Sequence, residues 1–198
     1  MVSVYEPRSA LPHAWFWPMV SGRYYPASLG TATSTTSINT PYLAPFFVPN
    51  VEGVTVNEIG IEVTATGTGT YARAGIFKAH PVTGKPDLLV GDSGLIDITA
   101  TGFRSVSGLS IYLPQGWYYS ALMRETTSTV RSHNTDPYGP LGFTAPLISM
   151  SSSTQIRAYI TGWPSGMTPS TGWPSRVTPL TGVVGSTTSY PRVLLRIA

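Results

Sequence analysis

The chain has 198 residues, of which 41% are hydrophobic and 11% are charged, whereas roughly 25% are charged in an average globular protein. A hydrophobic fraction of this size can build a core, which excludes disorder throughout the chain. There is no cysteine, so disulfides and thiolate metal sites are excluded, and no apolar run approaches the roughly 18 residues that a membrane span needs.

The remaining composition and the charge pattern favour a soluble protein made of short strands. Glycine (20 residues), proline (18 residues) and abundant serine and threonine disfavour helices. The net charge is +3, and residues 137–198 carry four arginines and no acidic residue. These arginines are not clustered as phosphate binding would require, so no nucleic-acid partner is expected. The first residues lack a basic, then apolar, signal segment, which predicts assembly in the cytoplasm.

Residues 1–50 are predicted to form an extended arm that includes a Thr/Ser linker. Seven prolines interrupt this segment and exclude a long helix and most central strands. Two aromatic clusters bracketed by proline should be buried, either on the protein's own sheets or on a neighbouring subunit. These candidates for a subunit or virion interface are Trp15, Phe16, Trp17, Tyr24 and Tyr25.

Residues 54–131 show the clearest strand periodicity. In residues 58–65 and again in residues 70–78, apolar side chains alternate with polar or small ones, which is typical of a strand with one buried face. The shared faces are predicted to hold Ile59, Ile61, Val63 and Ala65 in the first strand and Ala72, Ala74 and Ile76 in the second, with Tyr71, Arg73 and Phe77 opposite.

Further strands are predicted over residues 106–113 and 117–123, and Trp117 is expected in the core. Residues 88–99 form either a strand pair or one strand bent around Gly91 and Gly94. Strands at this spacing predict an all-β fold: an antiparallel, jelly-roll-like β-sandwich over residues 51–198.

The C-terminal third is predicted to be rich in loops. A ten-residue repeat places Trp163 and Trp173 in identical Thr-Gly-Trp-Pro-Ser turns, within a long loop or hairpin insertion near residues 133–190. Large apolar side chains on loops mark an interface, so these two tryptophans are candidates for contact with a glycan or another partner. Residues 155–160 and 192–197 are each predicted to form a strand, and the last returns to the sheet.

One string looks catalytic, namely Gly91-Asp92-Ser93-Gly94, which is similar to the nucleophile segment of chymotrypsin-like proteases. His80 precedes Ser93 by thirteen residues, whereas that family holds its catalytic groups on widely separated loops. Leu95 also replaces the glycine needed beside the oxyanion hole. A kink between strands is therefore the better interpretation, and no enzyme is predicted.

No metal or cofactor is predicted either. Asp87, Asp92 and Asp97 recur every five residues, but alternate members then fall on opposite strand faces, and no calcium loop pattern is present. The three histidines are far apart and lack metal-ligand spacing.

The central segment resembles the jelly-roll domains of tailed-phage virion proteins: tail fibres, tail tips, head fibres and capsid decoration proteins. The resemblance covers about residues 40–131 and the C-terminus. It implies a β-sandwich, frequent trimeric assembly, no catalysis and a role on the outside of the particle. It transfers no functional residues, because the matching positions are turn and core positions. The strings that carry it are residues 42–49, residues 56–63, Ala72-Arg73-Ala74-Gly75-Ile76-Phe77, Leu88-Leu89-Val90-Gly91-Asp92-Ser93-Gly94, Leu113-Pro114-Gln115-Gly116-Trp117-Tyr118-Tyr119 and Pro191-Arg192-Val193-Leu194-Leu195-Arg196.

The expected function is accordingly that of a non-enzymatic virion protein, a homotrimer held to the particle by its N-terminal arm. The alternative is a tail adhesin of the same fold that binds a host receptor or surface glycan through exposed loop aromatics.

Overall fold

The computed structural model describes residues 18–25, 33, 34, 38–69, 71–125, 127–133, 156–158, 165–177, 184, 185 and 190–198. None of these residues lies in a helix, so none belongs to a helix that could cross a membrane. Their strands are β1 (Tyr24–Tyr25), β2 (Thr33–Ser34), β3 (Tyr42–Val48), β4 (Val54–Ala65), β5 (Tyr71–Ala79), β6 (Pro86–Asp97), β7 (Gly102–Leu113), β8 (Gly116–Arg124), β9 (Thr129–His133), β10 (Ile156–Ala158), β11 (Val184–Gly185), β12 (Tyr190–Pro191) and β13 (Leu194–Ile197).

Two antiparallel sheets pack against each other, which confirms the predicted β-sandwich. The seven-stranded sheet has the order β1-β13-β4-β9-β12, with β7 paired to the other side of β4 and β2 paired to β9. The four-stranded sheet has the order β3-β8-β5-β6, and β10 and β11 form a separate pair. The jelly-roll form of the sandwich stays a prediction.

The core between the sheets includes six of the alternating positions predicted from the sequence. Six predicted inward side chains of β4 and β5 are at most 1% exposed, because each strand turns one face to the opposite sheet. Burial of each large aliphatic side chain contributes about 1.5–3 kcal/mol. Ala65, predicted on the same face, is exposed at the end of β4. The confirmed positions are Ile59, Ile61, Val63, Ala72, Ala74 and Ile76.

The segment around Gly91 and Gly94 is one bent strand rather than a strand pair. β6 runs unbroken from Pro86 to Asp97 and pairs with β5, but the register shifts three times along the pairing. These bulges let a single strand follow the curved edge of the four-stranded sheet.

The sandwich begins before residue 50, so the predicted domain boundary is wrong. β3 pairs with β8 over seven consecutive residues and contributes Leu43, Phe46 and Val48 to the buried clusters. Pro45 is compatible with this strand because β3 lies at the edge of its sheet, where half of the backbone N–H groups face away from the neighbouring strand. Only part of residues 1–50 can therefore be an arm.

Trp117 is not a core residue, contrary to the prediction. Its side chain is 42% exposed and packs against Phe47, with the ring centroids 5.2 Å apart. Odd-numbered residues of β8 point away from the opposite sheet, and the even-numbered Tyr118 and Leu122 enter the main core instead. The alternation was recognised correctly, but both faces of β8 are buried from Tyr118 onward, and Trp117 lies just before that stretch.

The C-terminal segment returns to the seven-stranded sheet, as predicted, although β13 covers only Leu194–Ile197. β12 pairs with β9 and β13 pairs with β4, so the segment fills the fork where β9 diverges from β4. Glu62 lies at this fork, and its two carboxylate oxygens bind Arg131 at 2.9 Å and Arg192 at 3.0 Å. One carboxylate thus joins β4 to β9 and to the connection between β12 and β13.

Acid should weaken this junction. The hydrogen bond from Arg131 is the main reason that the pKa of Glu62 lies below its ordinary value of 4.5. A carboxylate whose pKa is lower in the folded protein stabilises it above the ordinary pKa, and that stability is lost as pH falls through the folded value. We expect Glu62→Gln to lower the denaturation midpoint at pH 7, and the difference from the wild type to shrink below about pH 4.5. A difference that is independent of pH would contradict this role.

Candidate functional site

The Gly91-to-Gly94 string holds a bulge together. The hydroxyl of Ser93 is buried, donates a hydrogen bond to Gly94 O at 2.7 Å and accepts one from Ala74 N at 2.9 Å. Asp92 accepts from Gly94 N at 2.9 Å. His80 lies in the loop that follows β5, where its Nδ1 accepts from the backbone of Val82 and Thr83. Ser93 and His80 are therefore both engaged with backbone groups in different parts of the fold.

The three evenly spaced aspartates have three separate partners. Asp87 binds Arg176 at 2.9 Å, Asp92 binds Arg73 at 2.7 Å, and Asp97 accepts from Thr99 N at 2.8 Å. Within the described ranges, no group of three His, Asp or Glu residues could hold a metal ion.

The sequence predicted Trp173 on an exposed loop. In the structure it is instead half-buried against the outer face of the four-stranded sheet. Its ring meets Phe77 edge-to-face, with centroids 5.7 Å apart. A Cβ at Gly75 would lie 2.8 Å from the indole Nε1, so only glycine there leaves room for the ring. Trp163, the other predicted contact, lies outside the described residues.

Residues 165–177, which we call the covering segment, attach to this face by several contacts. Arg73 donates to Pro169 O at 3.0 Å, and Leu89 N donates to Ser175 O at 2.9 Å. Val177 N donates to Asp87 O at 2.9 Å, and its side chain joins a second buried cluster. The covering segment therefore shields the outer face of β5 and β8 and caps part of the β6 edge. The second cluster consists of Leu43, Phe77, Tyr119, Ala121 and Val177.

The three most exposed large apolar side chains of the described residues lie at one end of the sandwich, which we call the loop end (residues 18–20, 49–53, 80–85 and 112–117). Strand register brings these segments together, because Val48 pairs with Gly116, Val54 with Leu113 and Lys78 with Tyr118. Glu52 and Lys85 are the only Asp, Glu, Lys or Arg residues in these four segments. The exposed side chains are Val82 (86%), Val51 (79%), Tyr112 (58%), Val20 (44%) and Trp117 (42%).

Hydrogen bonds tie the segments of the loop end to one another. Gln115 donates to Pro49 O at 3.1 Å, and Tyr112 donates to Glu52 O at 2.9 Å. The hydroxyl of Tyr119 donates to Gly84 O. The exposed valines are thus presented on loops that are fastened to the sheets.

The N-terminal part of the chain joins the sandwich at the loop end. Met19 is buried, its N donates to Asn50 Oδ1 at 2.8 Å, and its carbonyl accepts from Asn50 Nδ2 at 3.0 Å. Tyr24 and Tyr25 then pair with β13. Trp15, Phe16 and Trp17 lie outside the described residues, but the chain that carries them reaches the sandwich here.

Sequence reasoning missed Val51 and Val82. Each is a single valine among turn residues, in Asn50-Val51-Glu52-Gly53 and Pro81-Val82-Thr83-Gly84. An isolated apolar residue in one turn is ordinary, and only the strand register shows that the two turns are neighbours.

Similarity to known proteins supplies no function for this chain. The function must therefore be argued from geometry, and the likeness to phage virion proteins remains a prediction. No protein-family model matches the chain, and no curated protein or solved structure matches it significantly.

Proposed function

We propose that this chain is a non-enzymatic structural protein of a tailed-phage virion, a homotrimer with a jelly-roll-like sandwich that is attached to the particle through its N-terminal segment. One observation carries the proposal: residues 18–20 join the sandwich at the end that holds the three most exposed large apolar side chains, Val82, Val51 and Tyr112.

Exposed apolar side chains that gather at one place favour an interface over a surface that faces only solvent. Val51 and Val82 are exposed by 79% and 86% on loops that hydrogen bonds hold in position. A loop that is already held in place loses little conformational entropy on binding, so less of the free energy gained by burying its valines is offset. The loop end is thus suited to face the particle, next to the segment that would anchor the chain.

The placement of the catalytic-looking string supports a non-enzymatic role. Its serine and aspartate are used to hold a bulge and to bind Arg73. Substitution of Ser93 or Asp92 is therefore expected to lower the stability of the fold.

Deletion of residues 1–17 tests the attachment. The cut falls before Pro18, so the contacts of Met19 and the pairing of β1 are retained. We expect the truncated protein to unfold at the same temperature as the full chain and to have three times the mass of one chain in solution. We also expect it to be lost from particles when it is supplied in place of the full chain, as measured by immunoblotting of purified virions.

The paired variant Val51→Ser/Val82→Ser extends this test to the loop end, and its incorporation should fall. Leu95→Ser is the matched control, because Leu95 is 42% exposed and lies near the opposite end of the sandwich. Normal incorporation of the truncated protein would refute attachment through the N-terminal segment. Equal losses in the valine variant and the control would refute a specific role for the loop end.

A further inference from the structure

A second exposed aromatic feature lies on the outer face of the seven-stranded sheet, away from the loop end. Phe103 is 43% exposed and Tyr24 is 37% exposed, and their rings meet edge-to-face with centroids 5.4 Å apart. Phe103 lies directly on Gly60, where a Cβ would come within 2.4 Å of the ring. A glycine in the middle of a strand thus seats a phenyl ring against the sheet. We call Tyr24, Gly60 and Phe103 the outer aromatic patch.

Polar side chains with hydrogen-bonding capacity border this patch. Glu58 accepts from Tyr24 at 2.7 Å and from Ser105 at 2.6 Å, and the hydrogen bond from Ser105 is the main reason that its pKa is lowered. A carboxylate offers about four acceptor sites, so two further bonds can form. Arg196 of β13 is paired with Tyr24 on one side and with Glu58 on the other. Its guanidinium therefore adds hydrogen-bond donors to the same border.

The size of the patch decides between occupants. An aromatic side chain has about 150–250 Å² of surface, so the exposed parts of the two rings provide roughly 150 Å² together. A stable protein interface buries about 800 Å² per partner, which is several times more. One sugar ring matches the patch better, because its C–H face can lie on an aromatic ring while its hydroxyls reach the polar border.

We propose that the outer aromatic patch binds a pyranose ring of a surface saccharide. The C–H face of the sugar lies on Phe103, Glu58 accepts hydrogen bonds from neighbouring hydroxyls, and Arg196 donates to a ring or hydroxyl oxygen. This site goes beyond the proposed virion role and uses no residue of the loop end, although it includes Tyr24, which the sequence marked as an interface candidate. It also differs from the tryptophan sites expected from the sequence.

Saturation-transfer NMR on the full chain tests the site. The probes are the methyl glycosides of glucose, galactose, mannose, N-acetylglucosamine and glucuronic acid at millimolar concentration, where single sugar rings bind measurably. At least one probe should receive saturation strongest at the protons of its apolar face. Phe103→Ala should abolish the signal, and Tyr24→Phe, which removes the bond to Glu58, should weaken binding about fivefold.

Trp117→Ala is the matched control, because Trp117 is similarly exposed (42%) but lies at the loop end. Its signal should equal that of the wild type. Three results would each overturn the proposal: no probe binds, Phe103→Ala binds as well as the control, or Phe103→Ala changes the mass of the protein in solution. The last result would identify a second copy of the chain as the occupant. Particle incorporation is measured separately, so failure here leaves the attachment result unaffected.

Discussion

Replacement of Phe77 by alanine is expected to lower the free energy of unfolding by about 3–5 kcal/mol, the range for removal of a buried aromatic ring. Phe77 is fully buried although it lies on the face of β5 that points away from the opposite sheet. The covering segment buries it, with Trp173 edge-to-face at 5.7 Å. The substitution would leave a cavity beneath the covering segment.

A double-mutant cycle with Trp173→Ala isolates the contact between the two rings. Edge-to-face pairs contribute about 0.5–1.5 kcal/mol beyond their buried area, so a coupling energy of that size is expected from urea denaturation. Trp117→Ala, which removes an aromatic side chain that is 42% exposed, serves as control and should cost much less. If Trp173→Ala leaves stability unchanged, the covering segment is not part of the folded unit.

Replacement of Arg73 by methionine should cost about 2 kcal/mol, because a partly buried ion pair is broken on one side only. Its Nε and Nη2 donate to the two carboxylate oxygens of Asp92 at 2.8 and 2.7 Å, and its Nη1 donates to Pro169 O. The side chains of Arg73 and Asp92 are 20% and 29% exposed, which is why we expect less than the loss seen for a fully buried pair. The variant removes the bidentate partner of Asp92 and the hydrogen bond that Arg73 donates to Pro169 O in the covering segment.

Arg176→Met is the matched control, since Arg176 of the covering segment also pairs with an aspartate of β6, Asp87. The side chain of Arg176 is 64% exposed, and exposed pairs contribute about 0–1 kcal/mol. Arg73→Lys should lie between the two, because it keeps the charge but cannot bind both oxygens in parallel. Equal effects of Arg73→Met and Arg176→Met in chemical denaturation would contradict the importance of the two-pronged pair.

Strand alternation predicted the part of the core that lies in the centre of β4 and β5. Ile59, Ile61 and Val63 were assigned correctly because a strand with one buried face repeats every two residues, and that period is local. The same period cannot say which face is buried when both carry apolar residues. β8 is such a strand, so Trp117 was placed in the core although Tyr118 holds that position.

The candidate sites were less predictable because each depends on residues far apart in the chain. Ser93 looked catalytic in its string, but the partner that occupies its hydroxyl is Ala74, nineteen residues away. Phe103 was not singled out at all, since a phenylalanine in a strand is ordinary. The available signal was Gly60, a glycine inside a strand, which often marks a close approach of another group.

The sequence by itself determined the fold class, the inward positions of β4 and β5 and the returning C-terminal strand, because these follow from local periodicity and turn residues. Only the tertiary structure decided that the sandwich begins before residue 50, that Trp173 covers β5, and that the exposed valines and the N-terminal entry share one end. Those features depend on which strands pair and in which register. The local pattern constrains register by selecting the buried face, but it does not say which strand distant in the sequence becomes the partner.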